Sequence, residues 1–347
     1  MSRSIAILGA TGLVGRTTLR VLEERGFPAG SVRLLASERG GARSLVFRGV
    51  SHAIEPVTEG SFASVELALF ACANPVSEAW AGIAGAAGAL VVDNSSAFRY
   101  QDEVPLVVPE VNGELLERCP ALVANPNCST IAVVMALAPL ARAVGLERVE
   151  VATYQSVSGA GSDALEELES GVRFGLEGDP PPRRDGRPAY AFNVVPHIDR
   201  FEENGYSREE MKIVWETRKI LSLPQLAVTA TAVRVPVRVG HAAAVTVSLK
   251  QALTADEARA LWASVPGIEV VDDPLRERYP TPLEAAGRDA VLIGRVRRDL
   301  SQSRGLVFFL ASDNLRKGAA TNAIQIAERL LGVSASDVRP GRAAEIR

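Results

Sequence analysis

The stretch NPNCST, residues 125–130, places a cysteine where a long apolar helix is predicted to begin. A cysteine near a helix start is often a small buried apolar residue, and that interpretation stays open from these residues alone. Alternatively, the unpaired N–H groups of the helix N-terminus stabilise a thiolate, and Cys128 is a nucleophile. Other residues of the chain are needed to distinguish these two interpretations.

The segment RVPVRVGH, residues 234–241, carries two arginines and one of only three histidines. Arg234 and Arg238 share one face of a predicted strand, where they form either a solvated face or a fork for a carboxylate or phosphate. Arg234 and His241 are seven residues apart and would point to opposite faces of an unbroken strand. If both serve one site, the strand must bulge or end between Pro236 and Gly240.

A predicted helix over residues 207–221 begins with a capping box, Ser207 to Glu210. Further along it, Glu216 and Lys219 are three residues apart and therefore lie on one face. They form either a surface ion pair or a substrate-binding pair of one anion and one cation.

The segment DNSSAFRY, residues 93–100, follows a predicted strand and contains Arg99. The carboxyl ends of strands in open α/β sheets face the ligand crevice, so Arg99 could reach a substrate anion. A structural role for this arginine is the alternative.

Glycines 9, 12 and 15 lie between a predicted strand and a predicted helix in ILGATGLVGRTTL. Glycines at such a turn let the backbone approach a pyrophosphate at the helix N-terminus. The GxxGxxG spacing is a variant of the usual fingerprint, and a merely structural turn is the alternative. Its place in the first βα unit favours dinucleotide binding.

The residues after the second predicted strand bear on which dinucleotide binds. Ser37 and Arg39 could hold a 2′-phosphate, which favours NADP, whereas Glu38 would favour the free ribose of NAD. A solvated charged turn is an equally good interpretation of these residues.

The first half of the chain alternates apolar strand patterns with helical spacing. This arrangement predicts a parallel sheet covered on both faces. The predicted strands cover residues 4–10, 31–37, 66–72, 89–96 and 121–127, and a helix is predicted over 15–26.

From about residue 144 the predicted strands alternate as if one face were exposed, which indicates a second, more antiparallel α+β domain. These strands cover residues 146–159, 226–240 and 241–250. A last helix, predicted over 318–332, has apolar positions at helical spacing and is expected to return to the first domain.

The composition limits the function further. A chain of 347 residues suits two domains, and a net charge of −3 gives no broad basic surface for nucleic acid. No apolar run is long enough to span a membrane, and MSRSIAILGATG enters a strand pattern without a signal peptide. Three cysteines without metal-ligand spacing predict thiols, no metal site and a reducing, cytoplasmic compartment.

Taken together, these residues identify a family resemblance. The chain resembles aspartate-β-semialdehyde dehydrogenase of the bacterial NADP-dependent type through nearly its whole length. The shared motifs occur in the same order and are GATGLVG, DNSSAFR, VPLVVPEVN, NPNCST, YQSVSGAG, ETRKIL, RVPVRVGHA, DLS and DNLRKGAATNAIQIAE.

The resemblance implies an α/β fold with a Rossmann-type doubly wound parallel sheet and a second α+β catalytic and dimerisation domain. Residues 1–127, completed by a C-terminal helix at about 315–347, would bind the dinucleotide, and residues 128–314 would form the second domain of a homodimer. The implied reaction is NADPH-dependent reduction of L-aspartyl-4-phosphate to L-aspartate 4-semialdehyde through a cysteine thioester. This reaction serves the biosynthesis of lysine through diaminopimelate, and of threonine, methionine and isoleucine.

The resemblance also implies a role for each matching residue. Cys128 would be the nucleophile, His241 the general acid/base, and Gln155 would orient the substrate. Arg234, aided by Glu216, would bind the substrate α-carboxylate, and Arg99 with Lys219 would hold the phosphate. The implied NADP contacts are Gly9, Thr11, Gly12, Leu13, Val14, Ser37, Arg39, Gly40, Ser158, Gly159 and Asn314.

Two other functions compete with this assignment. N-acetyl-γ-glutamyl-phosphate reductase shares the chemistry and the general plan, but the surroundings of Cys128 and His241 resemble the semialdehyde enzyme. A catalytically silent relative would bind a nucleotide or a partner only, and loss of the cysteine or the histidine would indicate it.

Overall fold

The computed structural model describes residues 2–37, 43–181 and 186–333. Within these ranges the chain forms two compact units. The first comprises Met1–Pro126 and Ala319–Arg347, as far as those ranges are described, and the second comprises Asn127–Gly318. The chain thus crosses between units after Pro126 and after Gly318, whereas the sequence placed the crossings after residues 127 and 314.

The strands are β1 Arg3–Leu8, β2 Ala29–Ala36, β3 Ser44–Phe47, β4 Val50–Pro56, β5 Leu67–Phe70, β6 Leu90–Asp93, β7 Leu122–Ala124, β8 Leu146–Gln155, β9 Ala227–Arg234, β10 His241–Leu249, β11 Ile268–Val270, β12 Val291–Arg298 and β13 Gly305–Ser312. The helices are α1 Leu13–Glu24, α2 Asn74–Ala86, α3 Pro109–Asn112, α4 Cys128–Val144, α5 Ser162–Leu176, α6 Arg208–Ile220, α7 Ala255–Ala263, α8 Pro282–Ala285 and α9 Thr321–Leu330.

The first unit contains a seven-stranded sheet in the order β3-β4-β2-β1-β5-β6-β7. Every neighbouring pair is parallel except β3 with β4. The sheet has a hydrophobic core on each face because its central strands are apolar on both sides. Alternate β1 residues, such as Ile5 and Ile7 on one face and Ala6 and Leu8 on the other, belong to different cores.

Helices cover both cores of this sheet. Residues of α1 and α9 pack into the core that contains Ile5, and residues of α2 pack into the core that contains Ala6. Arg25, just after α1, also donates two hydrogen bonds to Glu328 of α9, at 2.8 and 2.6 Å. The predicted doubly wound parallel sheet is therefore confirmed, and the last helix belongs to the first unit as predicted.

The β3–β4 hairpin was missed by the sequence analysis. Its strands lie at the edge of the sheet and are mostly exposed, so polar residues interrupt the apolar pattern. Its turn places Arg48 at φ 52° and Gly49 at φ 78°. Two consecutive positive φ values match a type I′ hairpin turn, but Arg-Gly is a weaker signal for that turn than Asn-Gly.

The second unit contains a six-stranded mixed sheet in the order β11-β12-β13-β10-β8-β9. The three central pairings are antiparallel, whereas β8 with β9 and β11 with β12 are parallel. Helices α4, α6 and α7 pack against one face of this sheet. Tyr154 and the half-buried Phe309 lie on the opposite face.

Within the described residues, no helix has both the length and the apolar character needed to cross a bilayer. The same residues contain no group of three or more His, Cys, Asp or Glu side chains placed to hold a metal ion.

Candidate active site

Cys128 is the first residue of α4, as the sequence predicted. Asn127 caps the helix, because its side-chain oxygen accepts from Ser129 N at 3.0 Å and from Thr130 N at 3.3 Å. An N-cap of this kind fixes the path of the chain into the helix. The Cys128 thiol is consequently held at the positive end of the helix dipole.

Two buried glutamates of α6 hold the capping residue in place. The Glu216 carboxylate accepts a hydrogen bond from Asn127 N at 2.6 Å, and Glu209 Oε1 accepts one from Asn127 Nδ2 at 2.9 Å. Glu216 has no solvent-exposed surface. The structure thus gives Glu216 a contact with the backbone next to Cys128. Its contact with substrate stays a prediction. Lys219 is half-buried on the same helix.

Glu209 also holds the end of β8. Gln155 Nε2 donates to Glu209 Oε1 at 3.1 Å, while Gln155 Oε1 accepts from Thr153 Oγ1 at 3.0 Å. The Gln155 amide is therefore fixed in one orientation. Lys212, one turn along α6, donates to Glu209 Oε2 at 3.1 Å and to Asp199 at 2.8 Å.

Glu209 remains ionised despite its burial. Burial on its own raises the pKa of this carboxyl group, but the Lys212 charge and the hydrogen bonds from Asn127 and Gln155 lower it to about 2. An ionised carboxylate is stable in a buried site only with such partners.

Arg234 and His241 reach the same face of the second sheet because the strand between them is interrupted. Strand β9 ends at Arg234, and β10 begins at His241. Between them Gly240 has φ +96°, and a Cβ there would lie 2.5 Å from Pro282 O. The strand was expected to bulge or end between Pro236 and Gly240, and it ends slightly earlier, at Arg234.

Arg234 is buried, and its Nη1 donates to Ser156 O at 2.7 Å. Burial lowers the pKa of this guanidinium, while the negative charges of Glu209 and Cys128 oppose that shift. Arginine stays charged even so. Arg234 is therefore a buried cation that interacts electrostatically with Cys128 and with the buried carboxylate of Glu209.

The imidazole of His241 is buried beside Arg234. Its Nδ1 lies 3.0 Å from both Ser156 N and Ser156 Oγ. A Cβ added to Gly159 would lie 3.1 Å from Arg234 Nη1 and 3.3 Å from His241 Nε2, so only glycine fits between them without displacement. Burial and the Arg234 charge lower the pKa of His241 to about 3, while Glu209 opposes this.

Asn314 organises the turn between β9 and β10. Its Oδ1 accepts from Gly240 N at 2.9 Å and from Ser156 Oγ at 3.0 Å, and its Nδ2 donates to Ser158 Oγ at 2.9 Å. Ser158, Gly159 and Asn314, three of the predicted nucleotide contacts, therefore belong to the second unit and cluster around His241. Whether they contact the nucleotide stays a prediction.

The glycine loop of the first unit fits a dinucleotide. Gly9 has φ +87°, and a Cβ there would lie 2.3 Å from Ala71 O, while a Cβ on Gly15 would lie 2.2 Å from Gly9 O. Gly12 is the N-cap of α1 and supplies no side chain to the first N–H groups. Thr11, Leu13 and Val14 continue this turn into α1. A backbone cradle at a helix N-terminus suits a pyrophosphate.

The other predicted residues of the first unit are placed separately. Arg99 is buried after β6, and its Nη2 donates to Asn94 O at 2.7 Å. Ser37 is exposed and directly follows β2. Arg39 and Gly40 lie outside the described residues.

The chain is similar to known proteins over nearly its full length. Residues 4–119 match the family described as Semialdehyde dehydrogenase, NAD binding domain, and residues 137–317 match Semialdehyde dehydrogenase, dimerisation domain. An aspartate-semialdehyde dehydrogenase from Legionella pneumophila is 51% identical over 337 residues, which cover 95% of this chain and 96% of that protein. The chain belongs to the aspartate-semialdehyde dehydrogenase family.

Other members of the family agree with this result. An aspartate-semialdehyde dehydrogenase from Bacillus subtilis (strain 168) is 42% identical over 334 residues, which cover 94% of this chain and 96% of that protein. The crystal structure of aspartate semialdehyde dehydrogenase II complexed with ASA from Vibrio cholerae has a TM-score of 0.92 at 45% identity, covering 96% of this chain and 99% of that chain. The family resemblance predicted from the sequence motifs is confirmed, and the chain is an oxidoreductase of the aspartate pathway.

Sequence reasoning missed Glu209 and Lys212. The two residues repeat, seven positions earlier, the Glu-x-x-Lys spacing of Glu216 and Lys219. Seven residues are about two helical turns, so both glutamates lie on the same face of α6. That repetition was the available signal, but only the structure shows that both carboxylates contact Asn127.

We predict that Glu209→Gln destabilises the protein at neutral pH by roughly 3 kcal/mol, the free energy equivalent of lowering the carboxyl pKa from 4.5 to about 2. Because the pKa is lower in the folded state, this stability is present above the unfolded pKa and is lost as the pH falls toward 2. Urea unfolding at several pH values measures the difference. Glu78→Gln, on the exposed face of α2, is the control. A destabilisation that does not shrink in acid would contradict the prediction.

Proposed function

We propose that this chain reduces L-aspartyl-4-phosphate to L-aspartate 4-semialdehyde with NADPH, through a thioester on Cys128. The observation that carries the proposal is the position of Cys128 at the start of α4. There the sulfur interacts electrostatically with the buried guanidinium of Arg234. The Cys128 thiol is an ordinary thiol unless its surroundings favour the thiolate, and a helix N-terminus together with a cation does so. The alternative interpretation, in which Cys128 is only a small apolar residue, explains neither the helix N-terminus nor the cation beside it.

The covalent steps follow from this arrangement. The Cys128 thiolate attacks the carbonyl carbon, the C–S bond forms, and the bond from that carbon to the phosphate oxygen breaks. When bound, the nicotinamide supplies the hydride that reduces the thioester. The C–S bond then breaks, its electron pair returns to sulfur, and the aldehyde is released.

Arg234 is proposed to bind the α-carboxylate of the substrate, and Gln155 to orient it. The hydrogen bond from Arg234 to Ser156 O fixes the plane of the guanidinium, which suits bidentate recognition of a carboxylate. Glu216 is proposed to assist through the position of Asn127. Arg99 and Lys219 are proposed to hold the phosphate.

NADP is the proposed dinucleotide. The family match identifies an NAD binding domain, and the cradle formed around Gly9 and Gly12 suits the pyrophosphate. Ser37 and Arg39 are proposed to bind the 2′-phosphate that distinguishes NADP. Ser158, Gly159 and Asn314 are proposed as further contacts.

We also propose a cytoplasmic location. Cys72, Cys119 and Cys128 are all described, and none forms a disulfide. Free cysteines are typical of a reducing compartment.

We predict that Cys128→Ala abolishes phosphate-dependent reduction of NADP⁺ by aspartate semialdehyde and leaves the fold intact, because a methyl group replaces the nucleophile without a change in the helix. Mass spectrometry of the wild-type enzyme with substrate should show an acyl adduct on Cys128 that the variant lacks. Cys119→Ala, an exposed cysteine, is the control. Near-normal turnover by Cys128→Ala would refute the proposal. If the enzyme instead reduced NADP⁺ with N-acetyl-glutamate semialdehyde, the result would favour N-acetyl-γ-glutamyl-phosphate reductase. If it turned over neither substrate, the result would favour a catalytically silent relative.

We predict that Arg234→Lys raises KM by roughly 10- to 100-fold with circular dichroism unchanged, because lysine keeps the charge and loses the fork. Steady-state kinetics with aspartate semialdehyde measures the effect. Arg238→Lys in the same segment is the matched control, because the Arg238 side chain is 71% exposed and pairs with Glu169. An unchanged KM for Arg234→Lys would argue against the carboxylate role.

The chain is proposed to form a homodimer through the sheet face of the second unit that lies opposite α4, α6 and α7. This face carries Tyr154, 38% exposed, whose ring centroid lies 6.0 Å from that of Phe309. Beside them an apolar cavity of about 410 Å³ opens between the sheet and the segment Tyr279–Pro282. The dimerisation-domain match spans these strands. A second copy of the same face would bury these aromatic side chains.

We predict that Tyr154→Glu weakens dimer formation by at least about tenfold, because a charge would be buried at the centre of the interface. Light scattering across a dilution series measures the change. Val46→Glu, at an exposed position on β3 of the first unit, is the control. A Tyr154→Glu protein that stays dimeric at the same concentrations as wild type would exclude this face.

A further inference from the structure

We propose that Asn125 is a positioning residue for Arg99, and that it acts through the side chain of Asn94. In this proposal a series of three asparagine amides holds the residue whose backbone carbonyl accepts a hydrogen bond from Arg99. The inference rests on the function proposed above, in which Arg99 binds the phosphate of the substrate. It adds a residue that fixes where the Arg99 guanidinium is presented.

The guanidinium of Arg99 is anchored on the loop that follows β6. Arg99 is 6% exposed, and its Nη2 donates to Asn94 O at 2.7 Å. An arginine side chain has several rotatable bonds, so its planar fork faces an anion in one orientation only where the fork is held. The position of the Asn94 carbonyl therefore bears directly on where the Arg99 guanidinium lies.

The side chain of Asn94 is held at both ends of its amide. Its Nδ2 donates to Phe70 O, at the end of β5, at 2.7 Å, and its Oδ1 accepts from Asn125 Nδ2 at 2.9 Å. The Asn94 N–H also donates to Phe70 O, at 2.9 Å. Asn94 is thus fixed through its side chain and its N–H, which restricts the carbonyl that Arg99 contacts.

The direction of each hydrogen bond in this series follows from the groups at its two ends. Asn322, in α9, donates from Nδ2 to Val107 O at 2.9 Å and to Asn125 Oδ1 at 2.7 Å. Phe70 O and Val107 O are carbonyl oxygens, which can only accept. The NH₂ groups of Asn94 and Asn322 must therefore face these carbonyls, and Asn125 must donate to Asn94 and accept from Asn322.

Asn125 is the middle amide of the series and lies in the interior of the first unit. It is 1% exposed, and Asn322 is fully buried. Asn125 N donates to Asp93 O at 2.7 Å, and Asn125 Nδ2 also lies 3.4 Å from Ala319 O. A buried amide that loses its partner cannot simply replace it with solvent. Removal of the Asn125 side chain therefore takes from Asn94 Oδ1 a donor that is difficult to replace.

The rest of the loop after β6 is held by other residues. Ser95 N and Ser95 Oγ donate to the buried Asp93 carboxylate at 3.1 and 2.6 Å. Ser96 N donates to Asn74 Oδ1 at 3.0 Å, and Asn74 Nδ2 donates to Ser96 Oγ at 2.9 Å. Loss of the Asn125 side chain should therefore release Asn94 without unfolding the loop.

A buried asparagine can also serve stability alone, and the same unit contains one that makes a matched control. Asn112, in α3, accepts at Oδ1 from Val108 N and donates from Nδ2 to Leu106 O, both at 2.9 Å. These two contacts stay within residues 106–112 and involve no residue of the loop after β6. Asn112→Ala thus removes a buried amide of the same type without touching Asn94.

Steady-state kinetics with inorganic phosphate tests the role of Asn125. We expect Asn125→Ala to raise KM for phosphate about 5- to 10-fold in phosphate-dependent reduction of NADP⁺, the effect of one lost hydrogen bond. KM for aspartate semialdehyde should stay near the wild-type value, and Asn112→Ala should leave both KM values near wild type. An unchanged KM for phosphate in Asn125→Ala, or an equal rise in Asn112→Ala, would overturn the proposal.

Asn94→Ala gives a second test, at a half-buried position where the variant is expected to fold. It should raise KM for phosphate by a factor similar to that of Asn125→Ala. The double variant should raise it no further than the larger single change, because both residues act through one series. Two independent effects that multiply in the double variant would overturn the proposal.

Calorimetric titration with inorganic phosphate separates this inference from the proposed function. If wild type lacked phosphate-dependent turnover, the proposed reaction would fail, but weaker phosphate binding by Asn125→Ala and not by Asn112→Ala would still support the inference. Normal wild-type turnover with equal phosphate affinity in these two variants would overturn the inference and leave the proposed function standing. A wild-type protein that binds no phosphate would overturn the inference together with the phosphate role of Arg99.

Discussion

The buried charge of Glu209 is the constraint on which the second unit's site depends. Removing an ionised carboxylate from water is unfavourable unless charged or polar partners replace the lost hydration. Here the partners are the N-cap of α4, the end of β8 and a lysine one turn along α6. Because each partner satisfies the same carboxylate, the three elements cannot move independently. The thiol, the amide of Gln155 and the helix start are consequently held in one geometry.

The interruption of the strand between Arg234 and His241 brings these two side chains to the sheet face that also carries Gln155. An unbroken strand would send one of these side chains to the opposite face, but the segment from Pro236 to Gly240 restores both to the helix-covered side. Asn314 fixes this segment through Gly240 and through the hydroxyl of Ser156. The result is a site with one buried anion, one buried cation and a buried imidazole.

In the first unit, the proposed pyrophosphate site is formed by backbone atoms and not by charged side chains. Its sheet has a hydrophobic core on each face. The loop between β1 and α1 follows the carboxyl end of a parallel strand, which is the edge where ligands bind in folds of this class. Gly9 and Gly15 are needed there because any Cβ would collide with a carbonyl oxygen. The same glycines therefore serve the packing of the fold and the approach of a pyrophosphate, and the sequence pattern by itself does not separate the two.

The sequence alone determined the doubly wound sheet, the helix start at Cys128, the capping box at Ser207 and the family, because these depend on local periodicity and on residues close together in the chain. It missed the β3–β4 hairpin, whose exposed strands lack a clear hydrophobic pattern. It also named Glu216 as a site residue but not Glu209, although each glutamate lies three residues before a lysine. Only the tertiary structure showed that both glutamates contact Asn127, and that Ser156 lies within hydrogen-bond distance of His241, 85 residues away in the chain. Those facts depend on which donors and charges meet after folding, and no sequence spacing contains that information.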